Sequence, residues 1–315
     1  MVPTTLPQAE QRIESQSDDQ KVAGKKVTGA ASSSSPLHLS MRVAQAANAN
    51  QTSQSFVAHQ YASYPFRLSS NLRLDRADAE RVYAYIMSAA PGVLSGDDLR
   101  LRVEVGDQAC LYLTDQSATK VHSKPVDGLP AQVIWEIQVG KEAYFEYVLE
   151  PIILFDSAAL TQRVEVTLHP SGRFISGEII VPGRIARGEF YEFEQFESRL
   201  RVRSPDGRIC FADNLRLTGQ ANRFKHSAFV TEYPLLGNFV AVVPGIALDD
   251  LLRKLQQHEI PADTLQACES PLPGCNGILV RAIATKVNAL KTYQRYLLNC
   301  IRQLAAQPLL PIIPK

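Results

Sequence analysis

Hydrophobic and polar residues alternate with a period of two along several stretches of the chain after Phe56. Because successive side chains of a strand point to opposite faces, this alternation predicts strands that are buried on one side. Stretches that alternate in this way, or that are rich in β-branched and aromatic residues, lie at 99–105, 133–139, 143–149, 163–168, 175–181 and 199–203. A mainly β domain is therefore expected over residues 56–306.

Glycines recur between these strands at intervals of about 32 to 35 residues, at Gly106, Gly140, Gly172 and Gly207. Each is expected to supply the positive φ of a tight reversal between two strands. The repeating unit is then strand, turn, strand and connection, and it occurs about four times. Stacked units of this kind predict an elongated β architecture, either a solenoid or a layered meander, and the sequence alone does not separate the two.

Two helices are predicted in the C-terminal half, near 247–258 and 286–306. The first carries acidic residues in its opening turn and basic residues later, the order that the helix dipole favours. The second has an apolar stripe that is expected to dock on the sheet. The prolines that follow it predict a loose tail over 307–315.

Residues 1–55 are rich in Gln, Ser, Ala and Lys and poor in large apolar side chains. Such a segment buries too little surface to offset its conformational entropy, so a disordered N-terminal tail is predicted. The segment also lacks the apolar stretch of a signal peptide.

The composition excludes several classes of partner. The formal net charge of the 315-residue chain is +1 and no long basic block occurs, so binding to nucleic acid or to an acidic membrane surface is not expected. No apolar run approaches the ~20 residues that span a bilayer. The five cysteines lack CxxC spacing, which indicates free thiols, although Cys268 and Cys275 are close enough in sequence to form a disulfide or bind a metal. We expect a cytoplasmic protein.

Motifs of catalysis are missing from the chain. It contains no P-loop, no GxSxG and no HExxH, and its six histidines are isolated from one another. A nucleophile paired with a base is therefore not predicted, and an enzyme is not expected.

Carboxylates are the more informative residues. Asp97 ends a Pro-Gly turn, and Glu178 lies within an apolar strand, where a carboxylate is costly unless it is paired, hydrogen-bonded or metal-bound. Glu146 and Glu150 share one face of a strand, opposite the face expected to form the core. The alternative to a functional role at each position is a salt bridge to Lys120, Arg173 or Arg184.

Four segments of the chain carry a family resemblance. They lie at 90–97 (Ala-Pro-Gly-Val-Leu-Ser-Gly-Asp), 114–121 (Thr-Asp-Gln-Ser-Ala-Thr-Lys-Val), 150–158 and 182–189. In the same order and at similar separations, they resemble the motifs of the UreD (UreH) urease accessory proteins. The resemblance covers roughly residues 61–305.

The resemblance implies a β-helical fold without catalysis of its own. It implies binding to apo-urease together with UreF and the nickel-carrying GTPase UreG, and delivery of nickel through an internal passage. Imidazole and thiolate bind nickel strongly, whereas spaced carboxylates release it more readily. Transient nickel contacts are therefore expected at Asp97, Glu150, Asp156 and Glu178, with no tightly bound cofactor.

Two other functions stay open at this point. A β-solenoid hydrolase or lyase would need two carboxylates ~5–10 Å apart in an open cleft. A β-rich interaction protein would need no metal contact at all. Geometry distinguishes them: an internal tunnel lined by Asp97, Glu146, Glu150 and Glu178 favours transport, and an open groove favours catalysis.

Overall fold

Two β-sheets pack face to face in the computed structural model, which describes residues 36–46, 54–69, 72–75 and 80–314. The first sheet has seven strands, in the spatial order β14 (Ile209–Thr218), β13 (Gln195–Arg203), β11 (Ala159–Leu168), β8 (Ala131–Val139), β5 (Asp98–Val105), β1 (Leu39–Ala46) and β2 (Gln54–Ala62).

The second sheet has ten strands. Its main path runs through β16 (Leu265–Pro271), β17 (Gly277–Ala284), β15 (Leu235–Val242), β12 (Arg173–Val181), β9 (Tyr144–Val148), β6 (Cys110–Asp115), β4 (Arg81–Ser88) and β3 (Phe66–Leu68). The short strand β10 (Ile152–Leu154) pairs with β12 and with β7 (Thr119–Val121).

The chain passes alternately from one sheet to the other between β4 and β13. Consecutive visits to the first sheet add β5, β8, β11 and β13 as parallel neighbours. Visits to the second sheet add β4, β6, β9 and β12 in the same way. The prediction of a mainly β domain is confirmed, as are the six strands predicted from alternation or from β-branched and aromatic content.

The reversals at Gly106 and Gly140 stack directly on each other. The amide of Gly140 donates to Val105 O at 2.8 Å, and a Cβ at Gly140 would lie 2.4 Å from Asp107 Oδ1. Positive φ falls instead on Gln108 (59°) and Glu142 (55°). The prediction that these glycines supply positive φ was wrong: a side chain is excluded there because the neighbouring turn packs against the backbone.

Gly172 and Gly207 differ from Gly106 and Gly140 in their positions within the turns. The amide of Gly172 donates to His169 O, as that of Ala143 donates to Gly140 O, so Gly172 occupies the position of an alanine in the earlier turn. Only Gly207 has the predicted positive φ, at 88°, and it closes the antiparallel hairpin of β13 and β14. The stacked unit therefore ends before the fourth glycine.

Three α-helices occur in the described ranges: α1 (Ala228–Glu232), α2 (Leu248–Leu255) and α3 (Val287–Leu304). The predictions of α2 and α3 are confirmed, and α3 covers the outer face of the second sheet through buried side chains such as Leu290, Tyr293 and Ile301. The helix α1 was not predicted because five residues are too few to show a helical period. No helix of the described ranges is long and apolar enough to cross a membrane.

Both predicted tails need correction. Leu39, Met41 and Val43 of β1 are buried, and the strand pairs in parallel with β5, so the disorder predicted for 1–55 was wrong at 39–46 and at 54–55. Residues 1–35 and 47–53 lie outside the described residues. The C-terminal segment is docked as well: Leu310 is buried and its amide donates to Asn299 Oδ1 at 2.8 Å.

A buried ion triad anchors α3 to the second sheet. Glu146 in β9 is 0 % exposed and accepts from Arg81 Nη1 at 2.7 Å and from Arg302 Nε at 2.8 Å. Burial alone would raise the pKa of Glu146, but the two guanidinium charges hold it below its usual range. The expectation that Glu146 lies on a face outside the core was wrong, because α3 covers that face.

We predict that Glu146→Gln lowers the free energy of unfolding by about 3–5 kcal/mol, because two buried guanidinium groups lose their counter-charge. Urea unfolding followed by circular dichroism measures the change. The control is Glu104→Gln, which removes an exposed ion pair with Arg42 and should cost less than about 1 kcal/mol. Equal losses in the two variants would contradict a special role for the triad.

Candidate functional site

Two of the four predicted nickel contacts lie in turns. Asp97 Oδ2 accepts from the amide of Leu94 at 2.8 Å. Asp156 is exposed, and its Oδ1 accepts from Ser157 Oγ at 2.9 Å. The bond from Leu94 to Asp97 spans the turn at 94–97, whereas the turn around Asp156 is closed by the amide of Ala158, which donates to Phe155 O at 3.0 Å.

The other two residues predicted to contact nickel, Glu150 and Glu178, line one cavity between the sheets. Glu150 and Glu178 both border this inner cavity, which has a volume of about 30 Å³. Glu150 also forms an ion pair with Lys291 of α3 and borders a second cavity of about 200 Å³ beneath that helix. The structure therefore brings together Glu150 and Glu178 but not Asp97 or Asp156.

Strand register creates a row of polar side chains across the apolar space between the sheets. Glu178 pairs with Asn238 in β15, and Asn238 pairs with Arg281 in β17, so the three stand side by side. In the facing sheet, Gln162 of β11 pairs with Ser198 of β13. We call this set the polar row; its members are Gln162, Glu178, Ser198, Asp213, Asn238 and Arg281.

Hydrogen bonds join the two sheets within the polar row. Gln162 Nε2 donates to Glu178 Oε1 at 2.6 Å, and Ser198 Oγ donates to the same oxygen at 3.2 Å. Glu178 is thus held by neutral donors, and no ion pair to it occurs among the described residues. Burial raises its pKa to about 7, against the lowering effect of the two donors.

Three polar atoms at the inner cavity have no hydrogen-bond partner within the described part of the chain. They are Glu178 Oε2, Asn238 Oδ1 and Tyr147 Oη. A buried polar atom without a partner is costly, and a cavity of this volume with several polar walls accommodates a water molecule or a small ion. The inner cavity therefore offers oxygen atoms to a water molecule or an ion, but it has no fixed set of ligands that would bind a metal ion strongly.

At one end, the polar row meets a wider cavity at the surface. Asp213 accepts from Arg281 Nη2 at 2.7 Å and from Asn238 Nδ2 at 3.3 Å. Arg281 and Asn238 also line an apolar cavity of about 480 Å³ beside Leu217 and Phe229. Asn238 therefore borders both the inner cavity and this surface cavity.

Tyr147 also lines the inner cavity. It pairs with Leu113 and with Ser176, so Asp115 and Glu178, two residues further along, are its diagonal neighbours on the same face. Burial, with the charges of Asp115 and Glu178, raises the pKa of Tyr147 well above its usual value. Asp115 in turn borders a fourth cavity, of about 180 Å³.

The first two family-like segments line this cavity, and the third and fourth follow them as neighbours in the structure. The amide of Val93 donates to Lys120 O at 2.8 Å, which joins the first segment to the second. Strand β7 of the second segment pairs with β10 of the third. The amide of Asp156 in the third donates to Glu189 of the fourth at 2.6 Å. Segments about thirty residues apart are therefore stacked neighbours.

Soft metal ligands are not gathered at the polar row. Within the described ranges, no group of three or more His, Cys, Asp or Glu side chains is placed to hold a metal ion. The five cysteines are free thiols, of which Cys110 and Cys300 are buried and Cys268 is exposed in β16.

Sequence reasoning missed most of the polar row. Gln162 and Ser198 occupy inward positions of alternating strands, between Leu160 and Val164 and between Phe196 and Leu200. A polar residue at an inward position is the signal that identifies them. The register that brings them to Glu178 has no comparable signal in the sequence.

Comparison with known proteins agrees with this arrangement of motifs. A model of the UreD urease accessory protein family matches residues 37–315. The chain belongs to the UreD family. The resemblance drawn from the four segments is thereby confirmed.

Relatives in the UreD family come from bacteria and archaea. The urease accessory protein UreD of Trichodesmium erythraeum is 41% identical over 269 residues, which cover 85% of this chain and 96% of the relative. UreD of Haloarcula marismortui is 31% identical over 237 residues, covering 75% and 77%. UreD of Natronomonas pharaonis is 28% identical over 226 residues, covering 72% and 74%.

We predict that Glu178→Gln changes how stability depends on pH. Folded Glu178 binds its proton more tightly than the unfolded chain, so the wild type loses stability as pH rises from about 4.5 to about 7. The glutamine variant does not titrate there and should be more stable by about 1–3 kcal/mol at pH 8, with little difference at pH 4.5.

Urea unfolding of the metal-free chain at the two pH values measures this difference. Glu136→Gln, which removes an exposed ion pair with Arg102, is the control and should change stability by less than about 1 kcal/mol, equally at both pH values. A stability change of equal size at both pH values would contradict the prediction, since it would reflect packing and not ionisation.

Proposed function

We propose that this protein acts in urease maturation as a scaffold without catalysis of its own. It binds apo-urease together with UreF and the GTPase UreG, and it conveys nickel to the urease active site. Membership of the UreD family supports the role in maturation. The free thiols support a reducing, cytoplasmic setting.

The polar row carries the proposal for the nickel route. It crosses a space otherwise filled by apolar side chains, and its unpartnered oxygens line a cavity of about 30 Å³ that shares Asn238 with the surface cavity. A row of polar groups is an expensive feature for a core, so a transported ion is a stronger explanation than packing.

Weak binding suits this task. Nickel stands high in the Irving–Williams order, and a site rich in histidine or cysteine would retain it. Glu178 and Glu150 provide oxygen ligands at the inner cavity, next to amide and hydroxyl groups. We assign the internal contacts to these two residues. The contacts at Asp97 and Asp156 remain predictions, because neither residue lines the inner cavity.

The same proposal interprets the alternation of strands between the two sheets as the coil of a β-helix. In that interpretation, each connection between β6 and β13 adds one layer, and the family-like segments form the stacked edge. Parallel neighbours in both sheets support it. Gln162, Glu178 and Ser198 of the polar row then lie between the two walls of the coil, and its other three members lie on the antiparallel strands that follow.

A carbohydrate-active hydrolase is less well supported. Its two carboxylates would stand in an open cleft wide enough for a sugar chain. Glu150 and Glu178 instead border a cavity of about 30 Å³, and Glu146 is neutralised by two arginines on the opposite face of the sheet.

We predict that Glu178→Ala lowers the nickel content of urease while leaving assembly with UreF and apo-urease intact. The reason is that the variant removes an internal oxygen ligand and leaves the surface unchanged. The measurement is the nickel content of urease from cells that lack their own UreD and express this chain, with co-purification as the readout of assembly.

Glu136→Ala, an exposed carboxylate of β8, is the control and should behave as the wild type. Normal nickel content in the Glu178→Ala strain would refute the nickel route and favour a pure scaffold. Failure of the wild-type chain to co-purify with UreF and apo-urease would refute the role in maturation itself.

A further inference from the structure

An ion pair stands where the polar row meets the surface cavity. Arg281 Nη2 lies 2.7 Å from Asp213 Oδ1, and the two side chains are 39% and 13% exposed. Arg281 borders the surface cavity of about 480 Å³, and its strand neighbour Asn238 borders both that cavity and the inner one. The pair is thus at the boundary between solvent and the polar row.

Both carboxylate oxygens of Asp213 are occupied in this arrangement. Arg281 donates to Oδ1, and Asn238 Nδ2 donates to Oδ2 at 3.3 Å. Arg281 and Asn238 both line the surface cavity, so a metal ion that enters there comes close to a guanidinium as well as to an amide oxygen. Since the guanidinium is always charged, it repels a cation and competes with it for Asp213.

The arginine has room to leave this position. Its side chain is partly exposed, and the adjoining surface cavity is mainly apolar, with Asn238, Gln266 and Cys268 as the other polar residues of its wall. When Arg281 turns outward, Asp213 Oδ1 becomes free, and Asn238 Oδ1 already lacks a partner among the described residues. These oxygens then continue the row toward Glu178, which pairs with Asn238 in the sheet.

We propose that Arg281 is a gate for divalent cations. Paired with Asp213, it closes this end of the polar row, and turned toward the surface cavity, it opens the row to an ion. The inference rests on the proposed nickel route and names the residue that regulates it. A purely structural ion pair would stabilise the fold without opposing metal binding.

Titration of the purified full chain with Ni²⁺ in a calorimeter tests the gate. Arg281→Gln removes the competing charge and should tighten Ni²⁺ binding about tenfold, in line with the effect of one neighbouring charge on a carboxylate. Arg216→Gln loses the same charge from an exposed position of β14 and should bind as the wild type. Glu178→Gln should bind more weakly.

The outcomes separate the gate from the route. Unchanged or weaker binding by Arg281→Gln, with weaker binding by Glu178→Gln, overturns the gate and leaves the nickel route standing. Unchanged binding by Glu178→Gln counts against the route itself. Tighter binding by both arginine variants overturns the gate, because it would reflect net charge alone.

A second measurement uses the wild-type chain and does not depend on a variant that folds. Phenylglyoxal modifies exposed guanidinium groups, and mass spectrometry locates the product. Added Ni²⁺ should speed modification of Arg281 and leave that of Arg216 unchanged. A rate at Arg281 that stays constant or falls on addition of Ni²⁺ overturns the gate.

Discussion

In-register parallel pairing is the constraint on which the rest of this structure depends. Each return of the chain to a sheet places its residues beside those of the previous visit, so side chains of one level form rows across several strands. A shift of one residue would turn the inward positions outward, and Glu178 would lose Gln162 and Ser198 together. Close backbone stacking at Gly106 and Gly140 opposes such a shift, since a side chain at Gly140 would collide with Asp107.

The polar row costs stability, and other contacts must offset that cost. The inter-sheet core on either side of it is densely apolar, with Phe145, Phe174 and Val166 each fully buried. On the opposite face of the second sheet, α3 adds a second apolar cluster and the triad of Glu146 with Arg81 and Arg302. The two faces of the second sheet therefore differ. The outer face binds α3 through apolar contacts and the ion triad, and the inner face retains oxygen atoms that lack a hydrogen-bond partner among the described residues.

The local sequence pattern was sufficient to predict much of this fold and part of the site. Alternation located the strands because period two is a property of single strands, and Glu178 was recognisable as a buried carboxylate because its own strand is apolar. Its neighbours Gln162, Ser198 and Asn238 were not recognisable from the sequence, since only the register of distant strands brings them to Glu178. The C-terminal segment was misjudged for a related reason. Its prolines end α3, but Arg295 and Arg302 donate hydrogen bonds to backbone carbonyl groups of the segment that follows.

The triad also has a consequence for synthesis of the chain. Glu146 and Arg302 are separated by 156 residues, so the carboxylate has only Arg81 as a partner until the last turn of α3 has left the ribosome. The outer face of the second sheet stays uncovered during that interval, with apolar side chains and strand edges open to other chains. Completion of the fold therefore depends on synthesis of α3, and the interval before α3 is made is when aggregation competes most strongly with folding.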